Sequence, residues 1–148
     1  MDLLENMSFD ECLHALAAKR VGRIALTHRA LPVVFPVNYV LDGHSVLLRT
    51  APGTALAAAR DEVVVAFEVD DIDEQRQSGW SVLVTGFMRE LTDVDDVLRA
   101  DGLGLASWTG DERGHYVRIT PARVTGRRIR PPALVGPSAQ DRTAHVVA

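Results

Sequence analysis

The hydrophobic positions of this chain follow a helical period first and a strand period afterwards. Phe9, Leu13, Leu16 and Ala17 recur on one helical face, with Cys12 flanking it. Ser8-Phe9-Asp10-Glu11 has the form of a capping box: the serine oxygen can accept from the N3 amide, and Glu11 can reach back to the Ser8 amide. The pattern predicts a helix that ends near Arg20-Val21-Gly22, with Cys12 toward the core and His14 in solvent.

From Val21 onward the texture is that of strands. Val21 to Thr27 and Leu31 to Leu41 are rich in valine, isoleucine and leucine, and His28-Arg29-Ala30 is a short reversal between them. Pro32 and Pro36 have no amide donors, so the second strand should expose an edge or carry a bulge there. Asp42-Gly43 is a tight-turn signal that returns Ser45 to Arg49 as an antiparallel strand. Alanine-rich Thr54 to Arg60 predicts a short helix. Val63 to Val69 is apolar at nearly every place and predicts a strand buried on both faces. Trp80 to Leu91 predicts a long strand. Asp93 to Ala100 opens acidic, as a short helix should. Tyr116 to Thr120 and Val124 to Ile129 complete six or more mostly antiparallel strands. Short helices plug barrel ends, so the inventory favours a closed or partly closed β-barrel over a sandwich. Residues 1–130 form the expected domain, and residues 131–148, small and polar without a periodic face, the expected disordered tail.

Composition narrows the function classes. A chain of 148 residues is one domain with a real core. Its net charge of −4 gives no electrostatic reason to expect nucleic acid or an anionic membrane surface as a partner. The single cysteine, Cys12, has no internal disulfide partner, which suits a reducing cytoplasm. The acidic start lacks a secretory layout, and no apolar run approaches the roughly 20 residues of a membrane span. The expectation is a soluble cytoplasmic domain.

Familiar catalytic layouts are absent. No HExxH, CxxC, GxSxG or GxxxxGK[ST] occurs, so no metal is expected. Glu68, Asp70, Asp71, Asp73 and Glu74 lack calcium-loop spacing and read as a solvated crossing between strands. Arg127-Arg128-Ile129-Arg130 is a short basic run in an acidic protein. More informative is Arg49-Thr50-Ala51-Pro52-Gly53-Thr54, where a strand ends and a helix begins. Free amides and partial positive charge make such a junction a seat for phosphate, with Arg49, Thr50 and Thr54 as further donors. On spacing alone the plainer reading wins, with Thr54 as an N-cap and Arg49 as a surface cation. Trp80, in Gly79-Trp80-Ser81, caps the barrel core or an interface on a plain reading.

The stretches VGRIAL, LPVVFPVNYVLDG, LLRTAPGTAL, VAFEVDDID, GWSVLVTG and YVRITPARVTGRRI, in this order and spacing, resemble the pyridoxamine 5'-phosphate oxidase-like family of FMN-binding split barrels. The resemblance runs from about Val21 to Ile129. It implies a mostly β fold, a six-stranded antiparallel split β-barrel with an N-terminal helix and short connecting helices. It also implies a homodimer with FMN in clefts at the subunit interface, deazaflavin and haem being the alternatives that such barrels hold. Residue by residue, it puts Pro36, Val37 and Asn38 beside the ring and Arg49 and Thr50 flanking the cofactor. Gly53 and Thr54 fall at the phosphate, and Trp80 and Ser81 at the cleft. Close relatives carry a basic residue after the Gly-[Ser/Thr] pair, where this chain has Ala55; the departure implies weak FMN binding, a substitute in Arg60 or a C-terminal arginine, or deazaflavin or haem in place of FMN. The implied activity is that of a flavin-dependent oxidoreductase acting on a small molecule. A non-catalytic carrier or sensor is the alternative.

Overall fold

The computed structural model describes residues 3–105 and 114–131. Ten elements follow in chain order: β1 (Leu4–Asn6), α1 (Phe9–Ala17), β2 (Val21–His28), β3 (Leu31–Asp42), β4 (Ser45–Thr50), α2 (Thr54–Arg60), β5 (Val64–Asp73), β6 (Ser78–Glu90), α3 (Val94–Asp101) and β7 (His115–Ile129). All strand pairings are antiparallel, in the order β1-β7-β4-β3-β2-β5-β6, and β6 returns to β7. Six strands therefore close a ring, as in a split barrel, and β1 adds a short seventh outside it.

Local chemistry explains the hairpins. Arg29 and Ala30 both take positive φ, 51° and 64°, in a two-residue turn that carries β2 into β3 from the His28↔Leu31 pair. That backbone matches the twist of the flanking strands. Gly43, at φ 62°, closes the Asp42↔Ser45 hairpin. The Ser8 hydroxyl accepts from the Glu11 amide at 3.2 Å, which is half of the expected capping box. The Glu11 carboxylate engages Arg128 at 3.1 Å instead of returning to the Ser8 amide.

Three strand expectations need correction. The last two segments are one strand, β7, bent by a register shift beside Pro121. β5 runs on through Asp73, so most of the acidic stretch is strand, and the crossing is short. Nor is β5 buried on both faces: Val65, Phe67 and Val69 face inward, whereas Val64 is exposed. The expected tail lies outside the described residues beyond Pro131.

Inside the ring Ile24, Tyr39, Val46, Phe67, Val82 and Met88 are shut from water. Leu16 of α1 and Leu56 of α2 join the same core, so these helices plug the barrel. α1 approaches the bare backbone at Gly126, where a Cβ would meet the Cys12 Sγ at 2.6 Å. The Tyr39 hydroxyl donates to the Leu16 carbonyl and ties α1 to β3. A second, smaller core lies outside the ring under α3, where Leu47, Ala100, Leu105 and Tyr116 are buried together. Each fully buried Leu contributes about 1.5–3 kcal/mol. Asp42 clamps this layer, accepting from Arg99 of α3 at 2.7 Å and from Arg118 of β7 at 2.8 Å. No helix among the described residues is long and apolar enough to cross a membrane.

Candidate functional site

The ring parts between β3 and β4. β3 and β4 pair only from Asp42↔Ser45 to Tyr39↔Leu48. Beyond that point β3 continues on β2 alone, with Asn38 opposite Val21 and Pro36 opposite Arg23. β4 turns to β7, with Arg49 opposite Tyr116 and Thr50 opposite His115. Pro36, Val37 and Asn38 therefore edge one side of the parting, and Arg49 and Thr50 edge the other. Pro32 and Pro36 stand in the stretch of β3 that leaves β4, where a residue without an amide donor breaks no ladder on that side.

The junction after β4 is open. Gly53, not Thr54, is the N-cap of α2, and no side chain bonds the amides of its first turn. Thr54 is the first helical residue and is half-buried. A Cβ placed on Gly53 would meet nothing within 4 Å, so the approach to these amides is unobstructed. The Thr50 hydroxyl donates to the Ala51 carbonyl at 3.1 Å. Arg49 is half-buried, with its guanidinium carbon 5.6 Å from the centroid of the Tyr116 ring, a cation–π stack. The Tyr116 hydroxyl in turn donates to Asp101 at 2.6 Å. Burial and then that carboxylate push the phenol above its ordinary value.

Ala55 is 6% exposed, so the position that departs from the family pattern points into packed surroundings. Arg60 is already occupied: its guanidinium donates to Glu90 at 2.9 Å. That bond, with a smaller contribution from His115, holds the Glu90 carboxyl below its usual range. The arginine run near the C-terminal end of β7 is partly tied as well, Arg128 to Glu11 and Arg130 to Glu5.

Trp80 and Ser81 lie elsewhere in the subunit. They stand on β6, opposite Asp71 and Asp70 of β5 and Arg128 and Arg127 of β7. β2 and β5 separate them from β3, three strand spacings or about 14 Å along the sheet. Trp80 is half-buried and packs on the barrel core, as its plain reading expects; by alternation Ser81 faces outward. Gly79 has φ 153°, and a Cβ there would strike the Asp71 carbonyl of β5. The glycine is needed for that close approach. The sequence-predicted residues thus fall into two groups, seven around the β3–β4 seam and two on β6. Tyr116 and His115 were missed. They open β7, whose expected strand begins at Tyr116, but only register places them beside Arg49 and Thr50.

Comparison with known proteins bears on this geometry. The model of the pyridoxamine 5'-phosphate oxidase family matches residues 8–128. An uncharacterized protein of Mycobacterium tuberculosis is 40% identical over 125 residues, covering 81% of this chain and 82% of that protein. The structure of the FAD binding protein from Mycobacterium smegmatis superposes with a TM-score of 0.74 at 37% identity, covering 85% of this chain and 98% of that one. A pyridoxamine 5'-phosphate oxidase-type structure from Corynebacterium glutamicum superposes with the same TM-score at 27% identity, covering 87% and 95%.

Proposed function

The chain belongs to the pyridoxamine 5'-phosphate oxidase family, and on that premise we propose that it is a flavin-binding homodimer with oxidoreductase activity toward a small molecule. The observation that carries the reading is the parting of β3 from β4 at Tyr39/Leu48, which lays a strand edge beside an uncapped helix start. Likeness to an FAD binding protein supports a flavin, and the family resemblance supports FMN as the form bound.

The residues present fit such a ligand. Backbone and side chain at Pro36, Val37 and Asn38 line a flat ring along the open edge. Thr54 and the amides after Gly53 donate to a phosphate, joined by Thr50 once its hydroxyl turns from the Ala51 carbonyl, and Arg49 adds charge. Ser81, which faces outward, belongs to the cleft of the other copy, since it stands three strands from β3 and at the far end of β7 from Arg49 and Thr50; Trp80 packs on the core of its own subunit beside it. A bound flavin supplies two-electron chemistry, so the chain itself needs only to bind, orient and shield it. No general acid or nucleophile is required, which agrees with the residues around the seam.

One observation favours the second reading, a flavin carrier without turnover. Ala55 brings no cation to the phosphate and Arg60 is held by Glu90, so one charge-assisted contact is missing. Such a contact contributes about 1.5–3 kcal/mol, roughly ten- to a hundredfold in affinity.

Flavin fluorescence quenching decides between these. FMN and FAD are titrated into the full chain, its Thr54→Val variant and its Arg49→Ala variant at two ionic strengths. Binding by the wild type and weakening in both variants, more at low salt for Arg49→Ala, supports the phosphate seat. A chain that quenches neither flavin overturns the proposal. Binding without reduction by any nicotinamide or small-molecule donor leaves the carrier.

A further inference from the structure

One outer face of the ring is bare. Among the described residues no helix lies across the outside of β2, β5, β6 and residues 31–38 of β3, because α1 and α2 plug the interior and α3 reaches β3 only at Val40 and Asp42. Val34, Val64, Leu83 and Phe87 stand on this face, between 42% and 65% exposed. Among them sits a carboxylate, Glu68, opposite Arg23 of β2 and Leu83 of β6. Glu68 is half-buried, and its Oε1 is closed to water without a hydrogen-bond partner. The charged groups that face it are Arg23 from β2 and Asp70 from its own strand. The nearest residues of β6 on this side, Ser81, Leu83 and Thr85, carry no charge, and neither does Pro36 of β3. Arg23 pairs with Asp70 at 3.5 Å. Burial first, then the hydrogen bond and charge of Asp70, push the Glu68 carboxyl up to about 7, against a smaller pull from Arg23.

Resting on the two-copy reading above, we propose that a second copy of this chain docks on this face and that Glu68 enters the contact carrying a proton, so pairing tightens as the medium is acidified. The face is self-complementary: Arg23 pairs with Asp70 at 3.5 Å, so a two-fold can set each copy's Arg23 against the other's Asp70 and leave Glu68 without a cation. Large apolar side chains left in water on one sheet face mark an interaction surface. The face is also continuous with the candidate site. Asn38 is at its β3 margin and Ser81 at its β6 margin, and a half-turn brings the β6 margin of one copy to the β3 seam of the other.

The proton follows from solvation. Covering the face removes what water still reaches Glu68, and the ionised form with an unpaired oxygen tolerates that worst. The neutral carboxyl can donate to Asp70 and enters at lower cost. Above about pH 7 each free copy must take up a proton to pair, two per dimer. The dimer dissociation constant then rises by up to about a hundredfold per pH unit in that range. In more acid medium the free copies are already protonated, and the constant is flat.

Sedimentation of the full chain over a dilution series at pH 6 and pH 8 tests this, with Glu68→Gln and Leu83→Arg beside the wild type and circular dichroism to check folding. The wild type should pair at least tenfold more weakly at pH 8, Glu68→Gln equally at both, and Leu83→Arg should be a folded monomer. A wild-type dimer that resists dilution equally at both pH values overturns the proposal. So does a Glu68→Gln variant that keeps the wild-type pH dependence, a dimer that survives Leu83→Arg, or a wild type monomeric throughout. Flavin titration of the same samples separates the two readings. Flavin bound to a pH-independent dimer removes the proton linkage alone, and a monomer that ignores flavin removes both.

Discussion

The two outer faces of this barrel are finished in opposite ways. Over β4 and β7 the chain lays α3, and Leu47, Ala100, Leu105 and Tyr116 are buried beneath it. The acid there, Asp42, has a side chain only 7% exposed, yet Arg99 and then Arg118 hold its carboxyl below the ordinary range. Over β2, β5, β6 and residues 31–38 of β3 no described helix lies, and the acid there, Glu68, is pushed the other way. Burial raises both carboxyls. What differs is the supply of cations: Asp42 receives two guanidinium groups, whereas Arg23 pairs with Asp70 beside Glu68. The helix that covers the first face brought one of those cations with it. The face without a covering helix, where the nearby Arg23 is taken by Asp70, is the face on which the proposed second copy docks.

The largest expected effect tests whether the covered face is a true core. Leu47→Ala should cost about 2–5 kcal/mol in denaturant unfolding, because Leu47 is fully buried between sheet and helix. Leu83→Ala, on the bare face, should stay within about 0.5 kcal/mol at concentrations where the chain is a single subunit. Equal losses at the two positions would erase the distinction between the faces.

A middle-sized effect is expected at Asp42→Asn. The amide keeps the shape but not the charge that Arg99 and Arg118 contact, so stability at neutral pH should fall by about 1–2 kcal/mol. The sign with pH is fixed by direction: the folded carboxyl lies below its unfolded value, so its contribution is present above the ordinary carboxylate range and disappears as acid protonates it. Wild type and variant should therefore converge in strong acid. A gap that persists there would assign the loss to packing rather than charge.

Much of the barrel was legible before any coordinates. Runs of β-branched residues broken by Asp42-Gly43 or Arg29-Ala30 specify hairpins locally, and Pro32 and Pro36 mark an open edge. What failed did so for physical reasons. Val63 to Val69 reads as doubly buried because every position is apolar, but Val64 lies on a face that the single subunit does not cover. β1 is too short to show a period. Leu47 belongs to a second core whose other half is a short, acid-rich helix far away in sequence. In the candidate site the Arg49–Thr54 junction was legible because strand end and helix start are adjacent in the chain. The separation of Trp80 from the seam was not, because it depends on the register of β3, β2, β5 and β6, which no local pattern carries. Gly53 as N-cap in place of Thr54 is a one-residue difference that only backbone geometry reveals.

The smallest effect, and the sharpest test of the contrast, concerns Glu68→Gln. The folded chain holds the Glu68 proton up to about pH 7, whereas the unfolded chain releases it near the ordinary value of 4.5. Between those points the folded state binds more protons, so wild-type stability falls as pH rises through that window and stays lower above it. Glutamine is neutral throughout and does not share the fall. The variant should therefore melt higher than wild type at pH 8, the gap should narrow on acidification, and it should vanish below about pH 4.5. This is the opposite sign to Asp42→Asn, whose variant is weaker at neutral pH and equal in acid. Water still reaches Glu68 and screens its charge, so the gap should be smaller than that of either earlier variant. A Glu68→Gln variant that melts lower than wild type at pH 8 would mean that the carboxylate has a cation partner in the folded molecule, and the two faces would no longer differ in kind.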